Sequence, residues 1–440
     1  MSLLAKLWSR RRERPLFVAV AAVVLAALAV FPFFDWWLRT NFEFVNGAYK
    51  PGDFGAYMGA VDRWQEGEEL YRRTESGGFW GTYLYPPVVV LLFVPFHELL
   101  GFEEGAMAWI FVSGTLLWLG LQTLVSQLGY DLRWWERLGL AWLIAGFHPA
   151  ILTAHLGQTA LFMGAMLAFA AAAMVAGGDD RDSRWPLLSG AYTAVVGIVK
   201  FAYAPVGAHL LHNPRRMKGA LLLVPVVLWI SIRFFGIEAH YTYIEVLEWG
   251  VNKGSDGARS PTLWLPPYFK PLAWFHAPQL LRAVVCLGVV GLAVLAPPRA
   301  RNAVFALGVA TFPLFTPQTY AYYFVALLPA VVLLLDWELR HDGYPELVLF
   351  GLLCVHLHSY GLKFLVHNMP DYFPVWEEWL RPHYLLLQPG LWGTSVLVGL
   401  AAVRVGGTVD PGAVAARVSE TVDRSTSVVR DVDSSGADGD

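Results

Sequence analysis

PGDFGAYMGAVDRWQEGEELYRRTESGGFWGTYLYPP, residues 51–87, is the longest charged stretch in the first half of a strongly apolar chain. It carries Asp53, Asp62, Glu66, Glu68, Glu69, Arg63, Arg72 and Arg73, and an apolar run lies on each side of it. The upstream run, Leu16–Leu38, has about 23 residues, enough to span a bilayer at 1.5 Å per residue. The downstream run begins at Tyr85 and ends near Leu100. A polar loop between two membrane-length runs implies that both runs cross a membrane and that the loop lies on one of its faces.

The composition agrees. The 440 residues are 56% hydrophobic and only 15% charged, with a mean hydropathy of +0.46. A soluble domain has about 25% charged residues, so these charges cannot cover a soluble surface. Nineteen Trp and eighteen Tyr suit two membrane–water interfaces, where amphipathic rings anchor. The net charge of −3 leaves no basic face for phosphate backbones, and no nucleic-acid partner is expected. Cys286 and Cys354 each lie inside an apolar run and read as small core residues.

Residues 1–15 carry Lys6, Arg10, Arg11, Arg12 and Arg14, which places the N-terminus on the cytoplasmic side and the 51–87 loop outside. No small-residue cleavage site follows the first run, so it reads as a retained helix. Ten further runs follow Tyr85–Leu100: Met107–Leu128, Leu138–Ala154, Ala160–Val175, Leu187–Leu211, Ala220–Phe235, Leu280–Leu295, Ala303–Phe315, Tyr322–Leu335, Leu347–Tyr360 and Tyr384–Val403. The basic connections NPRRMKG, PPRARN and DWELRHDG fall on the cytoplasmic side by parity. The expectation is an all-α polytopic membrane protein with about twelve transmembrane helices, a helical first outer loop, and both termini cytoplasmic in the plasma membrane. Residues 1–403 form the transmembrane domain, with outer loop 39–84; residues 404–440, ending DVDSSGADGD, read as a disordered cytoplasmic tail.

Lys200 and Pro205 interrupt Leu187–Leu211, which therefore reads either as one kinked span or as two half-helices meeting at a buried lysine. Two further outer loops are expected, Gly236 to about Pro278 and roughly Gly361 to His383. Long outer loops suit an enzyme working at the outer surface better than a simple channel. No internal repeat, phosphate-cradling glycine loop or metal-ligand spacing is present.

Several residues invite a chemical role, each beside a structural one. Asp53 is a carboxylate suited to act as a general base, yet Pro-Gly-Asp is also a good turn. From Phe54 through Tyr57, Met58, Val61 and Trp64 the apolar spacing is helical, so Asp62, Arg63 and Glu66 are expected to face water or headgroups. Tyr83 and Tyr85, before Pro86-Pro87, suit an interface belt at a helix start. Gln158, in the short break AHLGQTALF with His155 and Thr159, can hydrogen-bond a sugar or satisfy a helix end. Lys200 within an apolar run is a functional candidate by its cost; a snorkelling lysine is the competing account. Gln318, Tyr322 and Tyr323, in TPQTYAYYF, offer an amide and hydroxyl-bearing rings that can bind a sugar, although an interface belt predicts the same tyrosines. Asn252, Lys253, Ser260, Trp264 and Lys270 have no distinguishing pattern.

DFGAY at residues 53–57, EGEELY ending at Tyr71 and YLYPPVVVLLFVPF from Tyr83 together resemble the N-terminal signature of glycosyltransferase family 87. Gly157–Gln158, the K-x4-P of Lys200–Pro205 and the segment Pro317–Tyr323 match later patches in the same order. One departure is Tyr322-Tyr323, where the family pattern has His-Tyr. The resemblance implies a membrane enzyme of the GT-C fold class. Such an enzyme moves a hexose, most often mannose, from a polyprenyl- or dolichyl-phosphate carrier to a lipid-linked or glycan acceptor outside the membrane. It further implies inversion at the anomeric carbon, Asp53 as the base, and Tyr57, Tyr83, Tyr85, Gln158, Lys200, Gln318, Tyr322 and Tyr323 as substrate-binding candidates. No cofactor is implied, and participation of a divalent ion stays open. A transporter or flippase of lipid-linked sugars, or a non-catalytic envelope-assembly subunit, are the alternatives; a transporter would be expected to show paired repeats.

Overall fold

A computed structural model describes residues 8–9, 11–41, 51–75, 78–80, 83–178, 183–255, 268–269, 272, 276–360, 388–410 and 412. The expected third outer loop, residues 411 and 413–440 of the expected tail, and Ser260, Trp264 and Lys270 lie outside these residues, as does the side chain of Lys253; the first residues of that expected tail, 404–406, instead continue a helix.

The described chain is helical almost throughout. The helices are α1 (Pro15–Asn41), α2 (Gly52–Glu66), α3 (Val90–Leu99), α4 (Phe102–Gln127), α5 (Trp134–Gly146), α6 (His148–Leu156), α7 (Ala160–Gly177) and α8 (Trp185–Val199). After a 3-10 helix at Phe201–His212 come α9 (Pro214–Phe235), α10 (Glu238–Ser255), α11 (Pro278–Leu295) and α12 (Arg301–Phe315). A second long 3-10 turn, Ala321–Leu327, leads into α13 (Leu328–Arg340), followed by α14 (Pro345–His356) and α15 (Pro389–Gly406). β-Pairing among the described residues is confined to a two-residue antiparallel ladder, Tyr268 with Tyr320 and Phe269 with Thr319, and an isolated antiparallel bridge between Arg73 and Phe79.

Among the described residues each apolar run of the sequence overlaps a helix or helical pair, and the count of about twelve transmembrane helices is not confirmed. Among the described residues seven helices are long and apolar enough to cross a membrane, or eight if α5 and α6, bent by 67° at Phe147, form one broken span. The helices at Pro87–Leu99, Trp185–Val199 and Pro345–His356 are apolar but shorter than a bilayer is thick. The chain is a multi-pass membrane protein. Its outward-facing residues on α4, α9 and α11, such as Phe111, Leu221, Trp229, Leu280 and Leu287, are large, apolar and exposed, as a lipid-facing surface requires.

α7 is the axis of the bundle. Ten of the eighteen residues of its sequence ALFMGAMLAFAAAAMVAG are alanine or glycine, and fourteen of the eighteen are buried. Helices that cannot gain by hiding apolar surface from lipid associate through close backbone packing, which small residues permit. A Cβ on Gly120 of α4 would sit 2.9 Å from the Cβ of Ala168. The closest approach is between α8 and α9, where a Cβ on Gly190 would sit 1.8 Å from the carbonyl oxygen of Arg216, and one on Gly219 2.1 Å from that of Leu187. Gly190→Ala therefore has to push two helices apart. It is expected to cost at least about 1–3 kcal/mol and to lower the thermal unfolding midpoint of detergent-solubilised protein, whereas Gly197→Ala, in open space on the same helix, leaves it unchanged.

At one end of the bundle Glu338, fully buried, accepts from Arg404 Nε at 2.6 Å and Nη2 at 2.7 Å, tying α13 to α15. At the other end the 51–87 loop closes over the helices, and α2 lies in it as the sequence pattern predicts. Phe54, Tyr57, Met58 and Val61 are buried and Asp62 and Glu66 exposed. Arg63 departs from its expected place on the wet face. It is 7% exposed, and its Nε donates to the Leu70 carbonyl at 3.2 Å, so its guanidinium holds the chain returning from the helix. Gly67, at φ 75°, makes that reversal possible. Cys286 and Cys354 are free thiols, each of intermediate exposure rather than in the core.

Candidate active site

Two local features bring the polar candidates together. Gly157 ends α6 at φ 70°, and a Cβ there would lie 2.5 Å from the Cβ of Phe54. Only glycine serves both demands, so the first turn of α2 rests directly on the α6–α7 break. Asp53, one residue before Phe54, consequently meets Gln158, one residue after Gly157: Gln158 Nε2 donates to Asp53 Oδ2 at 2.7 Å.

The other end of the same amide is held just as firmly. Gln158 Oε1 accepts from the hydroxyls of Tyr57 and Tyr85, both at 3.0 Å, and from the Thr159 backbone N–H at 3.2 Å. The Tyr57 and Tyr85 hydroxyls lie 3.2 Å apart, and the Thr159 hydroxyl, 3.2 Å from that of Tyr85, is placed to donate to it. A side-chain amide that accepts from three donors cannot rotate, so its NH₂ stays aimed at Asp53. Trp109 Nε1 reaches the Gln158 carbonyl at 3.4 Å, and Tyr71 donates to the Tyr85 carbonyl at 2.7 Å, fixing both from behind.

Lys200 closes the far side. α8 stops at Val199, and Lys200 takes an extended conformation (φ −151°, ψ 105°) before the 3-10 helix, so the broken form of this run is the one adopted. Its ammonium donates to the Tyr323 hydroxyl and sits 3.8 Å from that ring's centroid and 5.5 Å from that of Tyr85. Tyr322 packs edge-on to Tyr323, with centroids 4.8 Å apart, and stacks on Tyr320 at 5.2 Å.

Burial raises the pKa of Asp53 above its ordinary 3.8, while the Gln158 hydrogen bond and the charge of Lys200 pull it back. A carboxylate whose pKa is raised in this way is, when ionised, a stronger base than one in water.

The structure thus brings Asp53, Tyr57, Tyr85, Gln158, Lys200, Tyr322 and Tyr323 to one end of the bundle. It leaves two candidates in other roles. Tyr83 is buried with its hydroxyl on the Pro86 carbonyl at 2.9 Å, and Gln318 donates to the Tyr320 hydroxyl. Asn252 is exposed on α10. Trp109 and Tyr71 were not singled out from the sequence. Each sits where an interface belt or core aromatic is expected, and no local signal separates a ring that buttresses a site from one that fills space. Among the described residues no group of three His, Cys, Asp or Glu is placed to hold a metal ion.

The family model of glycosyltransferase family 87 matches residues 83–317, more than half of the chain. The chain belongs to glycosyltransferase family 87. The matched residues include Tyr85, Gln158 and Lys200 of this family member; Asp53 lies upstream of them and Tyr322 and Tyr323 downstream. No curated protein matches the chain. Two crystal structures of ArnT from Cupriavidus metallidurans are similar to it, one bound to undecaprenyl phosphate and one in the apo state. They share 15% and 14% identity over 90% of this chain and 77% of theirs, with a TM-score of 0.37 each.

The amide of Gln158 offers a direct test of the geometry within this family 87 chain. Gln158→Leu removes the donor to Asp53 and the acceptor of two tyrosines. Transfer is expected to fall about 10- to 100-fold through misplacement of the carboxylate. Because the lost hydrogen bond had lowered the pKa of Asp53, the acid limb of the pH–rate profile moves to higher pH. An unmoved limb would mean that Asp53 is not the group being titrated.

Proposed function

We propose that this glycosyltransferase moves a hexose, mannose in the first instance, from a polyprenyl- or dolichyl-phosphate carrier to a hydroxyl of a lipid-linked or glycan acceptor, on the outer face of the plasma membrane. Asp53 takes the proton of the acceptor hydroxyl. The acceptor oxygen forms its bond to the anomeric carbon as the bond from that carbon to the phosphate oxygen breaks, and the electron pair leaves with the polyprenyl phosphate. A single displacement of this kind inverts the anomeric centre. Lys200 faces the departing phosphate and balances its growing charge. Tyr85, Tyr322 and Tyr323 present rings and hydroxyls to the sugar.

The observation that carries this reading is the opposition of a pinned carboxylate and a lysine at the mouth of an apolar bundle: Asp53 fixed by Gln158, and Lys200 over Tyr323 and Tyr85. Catalytic base and leaving-group anion need opposite electrostatics a few ångströms apart, and lipid-linked donors arrive from the side of the bundle rather than through water. The sugar nucleotide is not needed as donor, and neither is a cofactor.

Purified full-length protein in nanodiscs, supplied with radiolabelled polyprenyl-phosphate-mannose and a membrane lipid extract, is expected to form a labelled product whose anomeric configuration, read by NMR coupling, is opposite to the donor's. A product formed only from a nucleotide sugar, or one of retained configuration, would overturn the proposal.

A further inference from the structure

Lys200 is the last residue before the 3-10 helix Phe201–His212, and the Tyr203 N–H donates to the Lys200 carbonyl at 3.1 Å as that helix begins. In a 3-10 helix residues three apart lie over one another, so Lys200 and Tyr203 leave the backbone on the same side. That side faces inward. Tyr203 is 2% exposed and stacks on Phe312 with ring centroids 4.2 Å apart. Phe312 in turn lies 6.3 Å from the Tyr323 ring, the one that holds the Lys200 ammonium. Phe201, between the two in sequence, takes the opposite side and is 62% exposed.

Phe312 occupies the face of Tyr203, but nothing occupies its hydroxyl. Among the described residues that hydroxyl makes no hydrogen bond. Nor is it sealed: unlike His209 Nδ1, further along the same 3-10 helix, the oxygen keeps some open surface. A buried phenol ordinarily finds a partner, and the hydroxyls of Tyr57, Tyr71, Tyr83 and Tyr85 each donate to a group of the protein. The Tyr203 hydroxyl is close enough to those of Tyr85 and Tyr323 for a charge on one to be felt at the other. Those are the two rings that flank the Lys200 ammonium. A free O–H donor thus stands on the same side of the chain as the lysine and beside the same rings.

Two features favour a phosphate over a sugar as its partner. A phosphate only accepts hydrogen bonds, and an ammonium and a spare hydroxyl both donate. The chain also meets lipid one residue from Lys200, at Phe201, and the isoprenoid tail of a lipid-linked donor is joined to its phosphate. We propose that the Tyr203 hydroxyl donates to the phosphate of the lipid-linked sugar donor beside Lys200, and keeps hold of that phosphate as it leaves. This rests on the donor class proposed above.

Free polyprenyl phosphate carries the phosphate and the tail without the sugar, so it tests the assignment directly. Its dissociation constant from the full chain in nanodiscs is compared between wild type and Tyr203→Phe, alongside the kinetics of transfer. Phenylalanine keeps the stack on Phe312, so the unfolding midpoint is expected to hold. Binding of polyprenyl phosphate is expected to weaken about tenfold, the loss of one hydrogen bond to a charged group, and kcat/KM for the donor to fall by the same factor. Unchanged binding with a lowered kcat/KM would move the hydroxyl to the sugar or the acceptor and overturn the proposal. Unchanged binding with an unchanged rate, or with a lowered unfolding midpoint, would overturn it too and leave Tyr203 a packing residue. A wild type that binds polyprenyl phosphate but transfers no sugar from the lipid-linked donor would overturn the function proposed above; Tyr203 would still be judged by the binding comparison, which needs no turnover. A wild type that does not bind polyprenyl phosphate would overturn both.

Discussion

Asp53→Asn is expected to lower sugar transfer by about 10²- to 10⁴-fold, the usual contribution of a positioned general base, while leaving the protein folded and the donor bound. The substitution keeps the shape of the side chain, and Asn Oδ1 can still accept from Gln158 Nε2, so the network through Tyr57, Tyr85 and Thr159 persists. What is lost is the ability to accept the acceptor's proton. Stability moves the other way. The folded pKa of Asp53 is raised above 3.8, chiefly by burial. The folded state therefore binds its proton more tightly than the unfolded chain, and stability falls as pH rises from 3.8 through the folded pKa. Above the folded pKa the ionised carboxylate is a cost that asparagine removes, so there the unfolding midpoint of Asp53→Asn should equal or exceed that of wild type. For wild type the transfer rate should fall as pH drops through the raised pKa, an acid limb absent from the residual activity of the variant. Transfer within threefold of wild type in Asp53→Asn would remove Asp53 from the role of base, and a large drop in the unfolding midpoint would assign it a structural one.

The parts of this site legible in the sequence are those whose presence is costly in an apolar chain. Lys200 stands out because a charge inside a hydrophobic run must have a reason, and its place at the broken end of α8 follows from the same lysine and the nearby Pro205. Asp53 and Gln158 stand out as polar residues in breaks between runs. Their contact, across 105 positions of sequence, has no local signature. It depends on Gly157, whose missing Cβ lets α2 settle on the α6–α7 break. Aromatic residues were less legible, because an interface belt and a sugar site ask for the same rings. Tyr85 joins the network while Tyr83, two residues earlier, only caps the Pro86 carbonyl. Arg63 was misplaced because the helical spacing sets its direction on α2, not what covers it; the return of the chain at Gly67 turns a wet face into a buried one. Hydropathy found the runs but not their lengths, since a helix packed inside the bundle, or broken at a site, need not be as long as the bilayer is thick.

Lys200→Met is expected to reduce kcat/KM for the lipid-phosphate donor about 30- to 1000-fold, the loss of about 2–4 kcal/mol that follows removal of a desolvated charge from its phosphate partner. The ammonium is held by the Tyr323 hydroxyl and by the ring faces of Tyr323 and Tyr85, with Asp53 close enough for the two charges to interact. Rings and a hydroxyl satisfy a cation without neutralising it, which leaves Lys200 ready for a second anion. Methionine fills nearly the same volume and keeps contact with both rings, and replacing a buried charge by an apolar side chain of similar size is often neutral or stabilising. The fold is therefore expected to survive. Snorkelling and catalysis separate at this point. A snorkelling lysine contributes to insertion and stability, so its loss would lower the unfolding midpoint and leave the kinetics of the folded enzyme alone. A phosphate-facing lysine does the reverse, and its loss weakens inhibition by free polyprenyl phosphate, the leaving group, in parallel with kcat/KM. Lys200→Arg keeps the charge but brings a planar, longer group into the space between two rings, and should recover part of the inhibition by polyprenyl phosphate with less recovery of rate. Full activity and unchanged product inhibition in Lys200→Met would show that the donor phosphate is bound elsewhere.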